Sequence, residues 1–191
     1  MTENKVKFYF AYNSPFAFLA NSRLAQMLDP LGTAIAYRPV YGPRTGGSPD
    51  FSSPKMQYFI EDVARCADAY GLKPNPGPFA DSGKACRGFL FAEQAGEGAA
   101  YHDSVFQARW LEGRDIGDDQ TLSAIAEACG LDSGAHRDAI EETSSYAQAL
   151  EQSNAQAKAD GVFGFPFFIY QGQKFWGNDR IEWLVRAIST Q

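Results

Sequence analysis

Residues 13–16 read Asn-Ser-Pro-Phe, where the aromatic run "KVKFYFAY" gives way to a helical pattern. A serine before a proline is a good helix N-cap, and proline fits a first helical turn. The same corner could also do chemistry. In an open α/β sheet, ligands bind beyond the carboxyl ends of the strands. A helix beginning there aims backbone N–H groups and the positive end of its dipole at an anion, a thiolate included. The Ser14 hydroxyl can donate a hydrogen bond to such an anion. No histidine or lysine adjoins it as a base, which argues against Ser14 as the nucleophile itself.

Two later stretches carry further candidates. In "GVFGFPFF", residues 161–168, Phe165-Pro166 leads into a strand, where proline removes a ladder bond. An ordinary trans proline at a strand's first residue would suffice. A cis bond would instead turn the chain and open the backbone N–H and C=O of Phe165 to a peptide-like ligand. In "FWGNDR", residues 175–180, Asn178 and Asp179 open the last helix. Asp179 reads either as a helix cap or as a carboxylate for the ammonium of a zwitterionic ligand. Phe16, Phe165 and Trp176 would suit a flat apolar substrate, and equally a core.

The elements that must position these residues are legible from periodicity. A strand is expected over residues 5–12, a helix over 14–29 and a second strand over 33–41, which makes a β-α-β unit with a parallel sheet. From Ser53 to about Lys158 the pattern is helical. Met56, Phe59, Ile60, Val63, Ala67 and Tyr70 mark a first helix, Phe89, Ala92 and Ala95 a second. Val105, Ala108 and Leu111 mark a third, Leu122, Ile125, Ala126 and Cys129 a fourth, and residues 133–160 a fifth, bent near "TSS". Strands at 167–170 and 173–176, joined by Gln171-Gly172, form a hairpin before a final helix. The fold class is therefore α/β, a thioredoxin-like βαβ…ββα sheet with a large helical insertion. Residues 1–52 and 159–191 form the sheet domain, and 53–158 the inserted helical domain.

Composition narrows the classes of function. The 191 residues carry a net charge of −6, and no basic stripe suits a phosphate backbone. No apolar run approaches the ~20 residues of a membrane span. The polar start "MTENKVK" leads straight into a strand, with no secretory signal expected. Cys66, Cys86 and Cys129 are scattered and include no CxxC, so neither a redox dithiol nor a zinc knuckle is readable. This usage fits a reducing, cytoplasmic compartment. His102 and His136 are isolated and read as packing or surface residues, with no metal site expected.

Across nearly its whole length, the chain resembles the thioredoxin-fold family containing 2-hydroxychromene-2-carboxylate isomerase and the kappa-class glutathione transferases. The matching pieces are "FYFAYNSPFAFLAN", "PKMQYFIEDVARCADAYGL", "VFQARWLEGRDIGD" and "GVFGFPFFIYQGQKFWGNDRIEWL". DsbA-like oxidoreductases of the wider family carry a CxxC at the first-helix corner. Here Ser14 stands in place of the thioredoxin cysteine, which implies that glutathione supplies the sulfur. The resemblance implies that Ser14 holds the glutathione thiolate and that Phe165, before a cis Pro166, pairs its backbone with the cysteinyl part. It also implies that Asn178 and Asp179 bind the γ-glutamyl end, and that Lys55 meets the glycine carboxylate.

The implied activity is a glutathione-dependent isomerase, in which a thiolate adds reversibly to 2-hydroxychromene-2-carboxylate-like aromatic substrates. A kappa-class-like transferase that conjugates electrophiles and a non-catalytic glutathione-binding module are the alternatives. A DsbA-type oxidoreductase is disfavoured by the missing CxxC. The resemblance further implies a homodimer. Two departures stand out. Gly46-Gly47-Ser48-Pro49 lacks the asparagine common in that loop, and "PFADSGKACR" offers Asp81, Ser82, Lys84 and Arg87 where an Asn-Ser pair and arginines are usual. The acidic Asp81 opposes a carboxylate-bearing substrate.

Overall fold

The computed structural model describes residues 5–41 and 50–190. The loop containing Gly46-Gly47-Ser48-Pro49 lies outside them. Strand β1 (Lys5–Phe10), helix α1 (Pro15–Leu28) and strand β2 (Ala34–Pro39) come first. Six helices follow: α2 (Pro54–Ala69), α3 (Gly83–Gln94), α4 (Gly98–Trp110), α5 (Asp119–Ala128), α6 (Ser133–Ala139) and α7 (Ser145–Ala159). Strands β3 (Phe167–Tyr170) and β4 (Gln173–Trp176) lead to α8 (Ile181–Ser189). The sheet order is β2-β1-β3-β4, with β1 parallel to β2 and antiparallel to β3. This is the expected mixed thioredoxin-like sheet. None of the described helices is long and apolar enough to cross a membrane.

The hairpin falls where the sequence placed it. Gln171 and Gly172 have φ of 47° and 81°, the left-handed pair that a tight turn between antiparallel strands needs. Strand β2, expected over 33–41, is shorter, and two further elements differ from expectation. β1 stops at Phe10, because the chain beyond it is claimed by other partners. Ser14 N–H donates to Ala11 O at 2.9 Å, and Trp110 Nε1 donates to Tyr12 O at 2.9 Å. The expected helix over 133–160 is two helices. Ile140 is fully buried at the end of α6, and the Ser144 hydroxyl donates to Ala139 O at 2.7 Å before α7 starts.

The core runs continuously from the sheet into the helical block. Val6, Phe8 and Phe10 of β1 share one buried cluster with Leu19 and Leu24 of α1, Phe89 of α3, and Val105 and Phe106 of α4. Each such side chain contributes about 1.5–3 kcal/mol on burial. His102 sits among these aromatics, with ring centroids 4.2 Å from Phe10, 4.5 Å from Tyr37 and 4.9 Å from Phe106. The consequence for the site is rigidity: the strand that delivers residues 11–14 is packed on helices from both parts of the chain.

Candidate functional site at the start of helix α1

Ser14 is the N-cap of α1, with extended backbone (φ −91°, ψ 114°) and Pro15 in the first turn. Its Oγ accepts from Ala17 N–H at 3.2 Å. The capping role is therefore real, and it uses a lone pair. The single hydroxyl proton is donated to Phe165 O, also at 3.2 Å. The first turn of α1 contains no acidic residue, so no carboxylate of the helix's own first turn opposes an anion at its end. The Phe165–Pro166 peptide is cis, and among the described residues nothing accepts from the Phe165 N–H. Residues 151 positions apart in the chain thus meet at one corner.

Two cavities have Phe165 in their walls. The first, about 550 Å³, is lined by Asn13, Ser14, Tyr41, Phe79, Asp81 and Phe165, among others. The second, about 520 Å³, is lined by Phe16, Cys66, Phe165, Trp176, Asn178 and Asp179, with Tyr58, Asp62, Gly177 and Arg180 completing it. Phe16 is braced edge-on by Phe59, with ring centroids 5.1 Å apart. Trp176 is exposed and packs against Phe163 at 4.8 Å.

The candidate residues fare differently. Asp179 lines the second cavity with its side chain 64% exposed, and Arg180 stands 3.4 Å away. It is not a helix cap. The last helical segment begins with a 3-10 turn over Asn178–Arg180 whose N-cap is Gly177, and neither that turn nor α8 has a side-chain capping bond. Gly177 has φ of +114°, and a Cβ there would lie 2.5 Å from Asp179 Oδ1. Glycine lets the carboxylate fold back over the backbone at the cavity wall. Asn178 is buried, and its Nδ2 donates to Tyr70 O–H at 3.2 Å. Its amide thus ties the segment to α2, leaving Oδ1 and the backbone for a ligand. Lys55 is exposed in the first turn of α2 and lines neither cavity.

The first cavity has its own electrostatics. Asp81 Oδ1 accepts from Gly83 N–H at 2.8 Å, at the entry to α3. Burial and the neighbouring Asp81 carboxylate raise the pKa of Tyr41, whose neutral phenol lines the same cavity as Ser14. Ser82 joins Asp81 in the cavity wall. Arg87 is buried, with Nε on Ile140 O at 2.6 Å, and Lys84 pairs with Asp119 at 2.5 Å.

Sequence reasoning missed what holds the corner in place. Asn13 Nδ2 donates to Ala80 O at 2.8 Å, across 67 residues. Arg109, also buried, donates through Nη1 to Gly77 O at 2.5 Å and through Nε to Asn13 Oδ1 at 3.4 Å. One arginine thereby joins the loop lining the cavity to the residue before Ser14. "VFQARWLEGRDIGD" was legible as a motif, but nothing local in it names Arg109's partners. The thiols offer no alternative nucleophile pair: Cys86 is buried, which pushes its pKa up to about 12, and all three cysteines are free.

Comparison with known proteins agrees with this fold. The model of the DSBA-like thioredoxin domain matches residues 5–189. The chain is 30% identical to a 2-hydroxychromene-2-carboxylate isomerase of Sphingobium xenophagum, over 94% of this chain and 95% of that one. It is 29% identical to the Pseudomonas putida protein of the same name, over 96% and 93%. A solved structure of a 2-hydroxychromene-2-carboxylate isomerase superposes with a TM-score of 0.88 at 28% identity, covering 97% of this chain and 95% of that one.

Proposed function

The chain belongs to the DSBA-like thioredoxin family, and from that premise we propose that it is a glutathione-dependent isomerase of 2-hydroxychromene-2-carboxylate-like aromatic substrates. The observation that carries this reading is Ser14: a hydroxyl at a helix N-terminus, in the wall of the first cavity and bonded to Phe165, which lines both cavities, where redox relatives need a cysteine. Dithiol exchange requires two cysteines at that corner, and Asn13-Ser14-Pro15-Phe16 has none.

In this reading glutathione occupies the second cavity. Asp179 faces the γ-glutamyl ammonium, with Asn178 holding the segment. The Phe165 backbone, before Pro166, pairs with the cysteinyl part, and Lys55 meets the glycine carboxylate from the rim. Ser14 donates to the sulfur. A thiol of ordinary pKa near ~8.5 is only a few per cent ionised at neutral pH, so the hydroxyl and the helix end together favour the reactive form. The aromatic substrate enters the first cavity. The hemiketal ring first opens: its C–O bond breaks, the ketone forms, and the hydroxyl proton passes to the phenolic oxygen. A sulfur lone pair then forms a C–S bond with the alkene carbon conjugated to that ketone, and the π electrons move onto the ketone oxygen. The former double bond rotates as a single bond. The electrons return, the C–S bond breaks, and the thiolate leaves unchanged. No oxidant or reductant is consumed. The reading carries with it a cytoplasmic setting, where glutathione is abundant and reduced, and assembly as a homodimer.

Turnover of 2-hydroxychromene-2-carboxylate with and without glutathione tests it. Catalysis that requires substoichiometric glutathione is expected, and an equal rate without it overturns the proposal. One observation favours a second reading. Asp81 places a carboxylate in the substrate cavity beside Tyr41, which suits an uncharged electrophile better than an anionic one. A kappa-class-like transferase would then conjugate an aryl halide stoichiometrically, and a non-catalytic module would do neither.

A further inference from the structure

The Ser14 hydroxyl has one proton, and in the free protein that proton lies on the Phe165 carbonyl. The other side of the same oxygen accepts from Ala17 N–H. A sulfur arriving at Ser14 therefore meets an oxygen whose donor is already engaged. Stabilising a thiolate means breaking the bond to Phe165 O, and the carbonyl loses its donor unless another replaces it.

The two oxygens are 3.2 Å apart. In a cysteine residue the backbone nitrogen and the sulfur are separated by three bonds, a span of roughly 3 Å in a gauche rotamer. One N-acylcysteine can thus place its N–H on Phe165 O and its sulfur beside Ser14 Oγ at once. The N–H fills the carbonyl, and the hydroxyl proton turns to the sulfur without leaving an acceptor empty. A thiol without such an N–H can reach Ser14 only by stripping the carbonyl of its donor.

We propose that Ser14 and Phe165 form a ligand-operated proton switch, so that the hydroxyl lowers a thiol's pKa fully only when the thiol's own backbone N–H replaces it at the Phe165 carbonyl. The switch rests on the glutathione reading and adds a rule of selectivity. The site activates N-acylcysteine thiols more strongly than simple thiols. No covalent bond is made or broken in the switch itself. One hydrogen bond passes from Ser14 to the ligand N–H, and another forms from Ser14 to sulfur.

The test uses glutathione and its analogue methylated on the cysteinyl nitrogen, each titrated while bound, by thiolate absorbance against pH. On the wild-type protein the glutathione thiol should be more acidic than the analogue by about half to one pKa unit, a three- to tenfold difference, which is the worth of the neutral hydrogen bond restored. On Ser14→Ala the two ligands should titrate together. Equal pKa values on the wild-type protein, or a difference that survives Ser14→Ala, would overturn the switch while leaving glutathione binding intact. Failure of glutathione itself to bind would overturn the parent reading, and the switch with it. Should the analogue not bind, the crystal structure of the glutathione complex decides. It should show the cysteinyl N–H on Phe165 O and Ser14 Oγ more than about 3.5 Å from that oxygen. Ser14 still hydrogen-bonded to Phe165 O in that complex would refute the proposal.

Discussion

Ser14→Ala removes two bonds that the structure resolves and a third that the mechanism requires. The first is the cap from Ala17 N–H at 3.2 Å, worth about 1 kcal/mol. The second is the donation to Phe165 O, worth about 0.5–1.5 kcal/mol. Their sum, roughly 2 kcal/mol, should lower the melting temperature by about 4–8 °C for a chain of this size. The third is the charge-assisted bond to the thiolate, about 1.5–3 kcal/mol, which corresponds to a rise of about one to two units in the pKa of bound glutathione. The helix end is unchanged and still favours the anion. Turnover near neutral pH should fall up to tenfold per unit and partly recover at higher pH, because the thiol ionises without help once the pH passes its raised pKa. Glutathione affinity should weaken much less. Titration of bound glutathione and thermal melting of one variant separate the roles. A lower melting temperature with an unmoved thiol pKa and normal turnover would leave Ser14 as a helix cap only and refute the mechanism. Ser14→Thr, which can both cap and donate, should recover most of both effects.

Asp179→Ala should weaken glutathione binding, measured calorimetrically. The 64% exposure of the side chain and its Arg180 neighbour discount the bond to about 0.5–1.5 kcal/mol, or roughly a two- to tenfold loss; unchanged affinity would remove the ammonium contact. Stability should fall with acid because of His102, whose burial lowers its pKa to about 3. The unfolded chain takes up this proton near pH ~6.5, so the contribution is complete above that pH and is lost as pH falls toward 3, by about 2 kcal/mol at about pH 5. Denaturant unfolding at about pH 8 and about pH 5 should show a smaller difference in His102→Gln than in the native protein, and equal differences would refute the assignment.

Local pattern was enough for elements whose boundaries are written in their own residues. The hairpin at 167–176 follows from an apolar run, a turn pair and a second run, and α1 from Ser14-Pro15. The helix over 133–160 misled because "EETSS" does not forbid helix. The break comes from Ile140, which the core buries, and from a serine hydroxyl that takes the last carbonyl of α6. Asp179 misled in the same way, since an aspartate before a helix resembles a cap, yet Gly177 and a 3-10 turn already occupy that position. The corner was legible as chemistry through Ser14, but its supports were not. Asn13 finds Ala80, and Arg109 finds Asn13 across 96 residues, contacts that only the assembled fold brings together. Tyr41 entered the cavity by the same route, without any motif of its own.

The two bonds at the Ser14 oxygen have a consequence for how this position can drift. Folding uses the oxygen as an acceptor, through Ala17 N–H, while activation uses its proton. Few side chains satisfy both demands. Aspartate would start the helix well but brings no proton and repels a thiolate; alanine meets neither demand; cysteine donates weakly and caps poorly. Serine and threonine meet both through a single oxygen, whereas asparagine would divide them between its amide oxygen and nitrogen. Selection for a folded chain and selection for a working site therefore favour the same residue here, although they act on different parts of one hydroxyl. Mutational drift at position 14 that keeps stability while losing the site therefore runs chiefly through aspartate, which caps the helix and repels the thiolate.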